Sequence, residues 1–191
     1  MYTDRLLDNI NRQIKLTAEE ISFFSSLVKV KEWTPGEFLL KEGEVCRYIS
    51  YILEGCLKTY QTDDVGREHI TDFLVEDWWA DDLYSFLTGT ASTYSIRAIE
   101  PTRVARLSNK DLETIYKEIP KFERYFRILF QNAYIAQKKQ LNAMLSATAA
   151  ERYKSFLQSK PYALRRFHQK DIASYLGVTP QFLSTLKRKL R

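Results

Sequence analysis

The sequence has few of the residues that build metal centres, clusters and disulfides. Its 191 residues include two cysteines, Cys46 and Cys56, and two histidines, His69 and His168. The cysteines lie ten positions apart without a CxxC motif, so we expect buried thiols in a reducing compartment and no disulfide. An iron–sulfur cluster requires about four cysteines, and a haem or metal site requires more histidines. We therefore predict a protein without a metal or cofactor.

Long hydrophobic runs and catalytic groupings are also missing. No run of about eighteen apolar residues occurs, so we expect no membrane span. The first residues, MYTDRLLDNINRQIK, lack the apolar segment of a signal peptide, and we expect a cytoplasmic protein. No Ser/His/Asp, Cys/His or metal-ligand grouping is present in the sequence, so we predict no catalytic residues and no enzyme.

Acidic residues are scarce in the last part of the chain. Residues 120–191 contain 15 lysines and arginines against three acidic residues, a net charge of +12. Residues 1–119 carry a net charge of −7. This separation favours a polyanionic partner, double-stranded DNA, for the last part only.

The stretch QKDIASYLGVTPQFLSTLKR, residues 169–188, has the pattern of a helix-turn-helix. Ala173 is small where the two helices would approach, and Gly177 suits a turn that needs positive φ. Thr179 can cap the second helix, with Pro180 at its first position. In this motif the second helix enters a DNA major groove. A small apolar core is expected from five residues: Ile172, Leu176, Val178, Leu183 and Leu186.

Along the first part of the chain, the spacing of apolar residues changes from that of helices to that of strands. Residues 4–14 and 18–28 read as helices, the second with a capping box at Thr17 and Glu20. Short β-rich segments punctuated by turn residues then predict an antiparallel β-roll of the jelly-roll type, hence an α+β fold. A helical turn is expected at residues 81–87. The predicted strands are VKVKEW, EFLL, YISYILEG, CLKTYQT, EHITDFLV, YSIRAIE and RVARLS.

A long helix follows the roll. Ser108 caps a first helix, DLETIYKEI, and Pro120 opens a second over about residues 121–145. Apolar residues there alternate steps of four and three, which is typical of a coiled-coil seam and predicts a homodimer. The alternative is a helix wrapped in its own core. The predicted dimer seam is Phe122, Phe126, Leu129, Ala133 and Ala136, beside a second stripe of Phe130, Tyr134, Gln137, Leu141 and Met144.

These patterns divide the chain into three predicted segments. Residues 1–119 are predicted to form an effector-sensing roll, and residues 120–146 a dimerisation and linker helix. Residues 147–191 are predicted to form the helix-turn-helix domain, in which AERYKSFLQSK adds one more helix.

The order of roll, long helix and helix-turn-helix resembles the Crp/Fnr family of bacterial transcription regulators. The resemblance covers nearly the whole chain. It is carried by PGEFLLKEGE with Gly36 and Gly43, by YISYILEGCLKTY with Gly55, by Gly66, and by IRAIEPTRVARLS. It implies a cyclic-nucleotide-binding-domain-like roll, a homodimer, DNA as partner and RNA polymerase as a further candidate partner.

The resemblance also defines a candidate ligand pocket. In cyclic-nucleotide binders of the family, a Glu binds the ribose and an Arg neutralises the phosphate. Here the matching positions are Asp82 and Leu83, then Ser92 and Thr93, with Asp81 in place of a glycine. Without the arginine, and with two adjacent aspartates, cyclic AMP is not the expected effector. A small-molecule effector of another kind remains a candidate, and an apolar pocket could alternatively involve Trp78, Trp79 and Tyr84.

The resemblance places the DNA-reading residues on the second helix of the motif. Those at the family's base-reading positions are Gln181, Ser184, Thr185 and Arg188. Since the family's usual Glu and Arg are absent at Gln181 and Thr185, its usual operator is not expected. A dimer would place two such helices about 34 Å apart and prefer an inverted repeat. No β-hairpin wing is expected after the second helix. Phosphate contacts are expected from Lys170, Thr179, Lys187 and Lys189.

Two alternative functions stay open from the sequence. The first is a regulator that binds DNA without an effector. The second is a small-molecule-binding roll whose basic tail docks a partner.

Overall fold

The computed structural model describes residues 4–189, in which two helices precede the strands and six helices follow them. The strands are β1 Lys29–Trp33, β2 Phe38–Leu40, β3 Tyr48–Glu54, β4 Leu57–Thr62, β5 Glu68–Leu74, β6 Trp79–Ala80, β7 Ser95–Ala98 and β8 Thr102–Ser108. The helices are α1 Asp4–Asn11, α2 Ala18–Leu27, α3 Leu83–Thr88, α4 Asn109–Glu118, α5 Lys121–Ser146, α6 Ala149–Ser159, α7 Ala163–Arg166, α8 Gln169–Tyr175 and α9 Pro180–Lys189.

The strands form two four-stranded sheets. One has the order β1-β8-β3-β6 and the other the order β2-β7-β4-β5. The pairings are antiparallel, for example Lys29 opposite Arg106 and Ser50 opposite the same arginine. This arrangement confirms the predicted α+β fold with an antiparallel β-roll.

The chain divides into two compact units. The first contains residues up to Gln61 together with Asp72–Phe130, and the second contains Thr62–Thr71 together with the residues from Gln131 onward. The division therefore falls inside α5 and not at the end of that helix. The predicted boundaries at 119 and 146 follow sequence patterns and stay a prediction.

The first unit has an apolar core rich in aromatic rings. The rings of Phe24 and Phe122 stack with centroids 4.8 Å apart, and Trp79 lies 5.5 Å from Phe126. The Trp79 indole donates to the Tyr125 hydroxyl at 3.1 Å. Burial of such side chains is the main force that stabilises a unit of this size.

The predicted dimer seam needs a correction at its beginning. Phe122 and Phe126 are 0% and 2% exposed and belong to the core of the first unit, so they are not available to a second subunit. Leu129 also packs partly against that core. A spacing of four and three residues marks an apolar face, but it does not say what covers the face. Ala133 and Ala136 are exposed.

Helix caps lie where the sequence placed them. The Thr17 hydroxyl accepts from the Glu20 N–H while the Glu20 carboxylate accepts from the Thr17 N–H, which completes the predicted capping box. Ser108 caps α4 in the same way, and Thr148 with Glu151 forms a further box that the sequence analysis had not identified. Each cap satisfies backbone donors that a helix start leaves unpaired.

The second unit contains α6 to α9 and the hairpin residues Thr62–Thr71. The Ser174 hydroxyl on α8 donates to the Glu68 carbonyl at 2.7 Å and accepts from the Ile70 N–H at 2.9 Å. The Gln140 side chain donates to the Thr71 carbonyl at 3.2 Å. Helical side chains therefore satisfy backbone groups of the hairpin.

Cys46 and Cys56 are buried free thiols, as predicted. Burial raises the pKa of the Cys46 thiol above its ordinary value, which keeps it unreactive. Within residues 4–189, no three potential metal ligands come together, and no helix is both long and apolar enough to cross a membrane.

Candidate nucleic-acid interface

The turn between α8 and α9 has the geometry that its residues predicted. Gly177 adopts φ 66°, a conformation that favours glycine. The Val178 N–H donates to the Ala173 carbonyl at 3.0 Å, and the Thr179 hydroxyl accepts from the Phe182 N–H at 3.1 Å. Thr179 therefore caps α9, whose first residue is Pro180.

A small core fixes the angle between the two helices. Ile172, Ala173, Leu176 and Leu183 are at most 4% exposed. The Arg152 guanidinium donates to the carbonyls of Ala147 at 2.7 Å and of Leu176 at 3.0 Å. Arg152 thus ties the end of α8 to the start of α6, so this arginine has a structural role in the unit.

One face of α9 is exposed along its length. Gln181, Ser184, Thr185 and Arg188 are all exposed, whereas Leu183 on the other side is 1% exposed. Their spacing of three, one and three residues places the four side chains on a single helical face. The predicted base-reading residues thus lie together on a surface open to a ligand. Their contacts with DNA stay a prediction.

Hydrogen bonds order the polar side chains of this face. The Gln169 amide donates to the Ser184 hydroxyl at 2.6 Å, and the Gln169 carbonyl oxygen accepts from Lys187 Nζ at 3.5 Å. The Arg188 guanidinium lies 3.5 Å from the Thr185 hydroxyl. Gln169 could not be identified from the sequence, because its position at the start of α8 does not indicate that its side chain contacts α9.

The predicted phosphate-contacting residues differ in their exposure and in their place on α8 and α9. Lys170 and Lys189 are exposed and Lys187 is half-buried. The oxygen of the Thr179 hydroxyl accepts the capping hydrogen bond, and its hydrogen can still be donated to a phosphate. Lys170 lies in the first turn of α8 and Lys189 in the last turn of α9.

The acidic residues of this region do not oppose its positive surface. Asp171 is 6% exposed. Glu151 binds the N–H and hydroxyl of Thr148, and these hydrogen bonds hold the pKa of Glu151 below its ordinary value. Asp171 is thus buried and Glu151 is bonded within the unit, while Arg188 and Lys189 of α9 are exposed.

The candidate ligand residues of the roll bond to one another. Asp82 caps α3 by accepting from the Ser85 N–H at 3.0 Å, and it accepts from the Ser92 hydroxyl at 2.7 Å. Leu83 begins α3, and Thr93 is exposed. Asp82 and Ser92 are therefore used within the protein and are not presented to a phosphate group. Burial and the neighbouring Asp82 raise the pKa of Asp81 to about 6.

A roll of this kind, a long helix and a helix-turn-helix with an exposed basic second helix define a DNA-binding transcription regulator. Residues 30–118 match the family model of the cyclic nucleotide-binding domain. The chain is 24% identical over 185 residues to the transcriptional activator protein anr of Pseudomonas aeruginosa, covering 90% of this chain and 74% of that protein.

Solved structures show the same fold. FixK2 from Bradyrhizobium japonicum has a TM-score of 0.72 at 20% identity, over 85% of this chain and 84% of that one. A protein from Eubacterium rectale, assigned to the Crp/Fnr family, has a TM-score of 0.70 at 16% identity, over 91% of this chain and 83% of that one. Residues 30–118 therefore form a domain of the cyclic nucleotide-binding type, and over most of its length the chain is similar to transcription regulators of the Crp/Fnr type. Members of the family bind DNA, act as dimers and are not enzymes.

Proposed function

We propose that the protein is a homodimer that reads an inverted DNA repeat with α9 and responds through its roll to an effector other than cyclic AMP. The observation that carries this proposal is the exposed face of Gln181, Ser184, Thr185 and Arg188. It lies on the second helix of the helix-turn-helix, where such motifs contact base edges. A cytoplasmic location and contact with RNA polymerase are part of the same proposal.

The side chains of this face suit base reading of a particular kind. Gln181 can pair bidentately with adenine, and Arg188 with guanine. Ser184 is held by Gln169, which fixes its orientation before DNA arrives. Lys170 and Lys189 are assigned to phosphates, which position the protein without specifying sequence.

The second half of α5 supports the dimer. Tyr134, Leu141 and Met144 are 61%, 48% and 55% exposed within the described chain, and their spacing follows a heptad. Burying such a stripe against the same stripe of a second copy is the symmetric solution typical of dimers. We assign the dimer contact to this stripe, called the 134–144 stripe below, together with Ala133 and Ala136.

Features of the roll disfavour cyclic AMP as the effector. Ser92 stands where a cyclic-nucleotide binder has its arginine, and its hydroxyl is bonded to Asp82. A cyclic phosphate would meet two carboxylates and no guanidinium. Stabilisation of the purified protein by millimolar cyclic AMP would contradict this part of the proposal.

The first experiment is selection from a random duplex DNA pool by the purified protein without added ligand. Enrichment of an inverted repeat is expected if the protein reads DNA as a dimer without an effector. If enrichment requires cell extract, an effector is involved. No enrichment under either condition, at low salt where phosphate contacts are strongest, would contradict DNA reading and favour a roll with a partner-docking tail.

Two alanine variants test whether side chains of α9 read the bases of the selected DNA site. Arg188→Ala and Gln181→Ala should each lower affinity for the selected site by about 1–3 kcal/mol and relax one base position. Lys154→Ala is the matched control, because Lys154 is an exposed cation on α6 and not on α9. Equal losses for Arg188→Ala and Lys154→Ala would argue against base reading by α9.

A further inference from the structure

A cleft of about 450 Å³ lies in the first unit, beside the strands β1, β8 and β3. The lining of the cleft includes the apolar side chains of Trp33, Leu40 and Val45. It also includes the polar side chains of Tyr48, Ser50 and Arg106. This combination of an apolar wall and a few polar groups is typical of sites for small organic molecules.

Arg106 is one of two arginines that line the cleft, the other being Arg47. The Arg106 guanidinium lies 4.2 Å from the centroid of the Tyr48 ring, and its Nε is buried. Among the residues that the structure describes, none accepts a hydrogen bond from this Nε. A buried donor without an acceptor costs about 1–3 kcal/mol, and more when the group is charged. An acceptor inside the cleft would remove that cost.

The charges beside Arg106 point to the same kind of ligand. Lys29 stands directly opposite Arg106 in the pairing of β1 with β8. Directly opposite side chains share one face of a sheet, and like charges in that position are destabilising. Lys31 shares this face, with its Nζ 4.8 Å from the centroid of the Trp33 ring. An anion at Arg106 would offset the mutual repulsion of these cations.

We propose that the cleft binds a small organic carboxylate with an apolar body, held by Arg106. The planar guanidinium fork matches a carboxylate, and Tyr48 keeps that fork in place by stacking. The apolar body would lie against Trp33, Leu40 and Val45. Glu44, which also lines the cleft, disfavours anions of higher charge such as phosphate. Asp82 and Ser92 do not line this cleft, and the proposal does not depend on DNA binding.

The test uses benzoate, phenylacetate and hexanoate as probes, with benzamide and sulfate as comparisons. Thermal unfolding and tryptophan fluorescence of the full chain report binding. We expect at least one carboxylate to raise the melting temperature in a concentration-dependent way, whereas benzamide and sulfate do not. Arg106→Gln should weaken that binding by about tenfold or more. Arg97→Gln should not, because Arg97 stacks 5.1 Å from the Tyr60 ring and does not line the cleft.

A second variant avoids any folding defect of Arg106→Gln. Val45 is 38% exposed at the cleft, so Val45→Asp adds a negative charge there without disturbing a core, and Val45→Asn is its uncharged match. Both variants lose apolar contact with the ligand, and Val45→Asp should weaken carboxylate binding further than Val45→Asn because it adds a like charge. The proposal is overturned if none of the three carboxylates binds, if benzamide or sulfate stabilises the chain equally, or if both Arg106→Gln and Val45→Asp bind like the parent protein.

Discussion

Gly55 shows how a single backbone position constrains the roll. It adopts φ 98°, and a Cβ built there would lie 2.6 Å from the Cα of Thr102. That neighbour is backbone and cannot move aside without distorting β8. We expect Gly55→Ala to lower the free energy of unfolding by about 3 kcal/mol or more in urea denaturation. Gly66→Ala, at φ 79° in open space, should cost only about 1 kcal/mol, and equal losses would contradict the steric argument.

Asp81 gives stability a dependence on pH. Its pKa is raised to about 6 by burial and by Asp82, so its neutral form favours folding. The resulting stability is fully present below the ordinary pKa near 3.8 and is lost as pH rises through about 6. We expect Asp81→Asn to stabilise the chain at pH 7–8 by about 2 kcal/mol relative to the parent, and much less near pH 4. Thermal denaturation across this range measures the difference.

Asp64→Asn is the control for that measurement. Asp64 is exposed in the hairpin, so the variant removes one negative charge without changing a buried site. The same trend with pH in both variants would show that total charge, and not the surroundings of Asp81, sets the effect.

At the scale of elements, most of the fold could be predicted from the sequence. Turn residues separate short segments that are rich in β-branched and aromatic residues, and Thr17 and Ser108 mark the helices that they cap. Elements too short to show a period were missed, namely the two residues of β6 and the four of α7. Phe122 and Phe126 were assigned to a partner because heptad spacing describes an apolar face and not its occupant.

The candidate site was predictable to a similar degree. The face of α9 follows from helical periodicity alone, so its four polar residues could be named in advance. Gln169 could not, because its contact with Ser184 joins residues 15 positions apart on two helices. Likewise, the unpaired Nε of Arg106 depends on neighbours brought together by three strands.

The 134–144 stripe of α5 makes a prediction about association. Leu141→Asp places a charge in the apolar stripe and should weaken the dimer by at least tenfold, because a buried carboxylate lacks a partner there. Asn142→Asp adds the same charge on the same helix outside the stripe and should have little effect. Sedimentation velocity over a range of concentrations compares them. Equal behaviour of the two variants would exclude the stripe as the dimer contact.

At the scale of the whole molecule, the uneven charge predicts how DNA affinity depends on salt. The affinity falls with log salt concentration at a slope of about 0.9 per phosphate contact. Lys170→Ala removes one assigned contact from each subunit, so the slope for a dimer should become shallower by about 2. Lys154→Ala is again the control, and an unchanged slope for Lys170→Ala would contradict the phosphate assignment. Fluorescence anisotropy on the selected site at several salt concentrations measures the slope.

The two hydrogen bonds of Ser174 affect how the edge of a β-sheet can pair with other molecules. Within residues 4–189, β5 is the last strand of its sheet, and no described strand pairs with its outer backbone groups. Such an edge is a template to which an extended segment of another molecule can add. The Ser174 hydroxyl occupies one carbonyl and one N–H of that edge, at Glu68 and Ile70. We therefore expect Ser174 to block pairing of another molecule with this part of the edge.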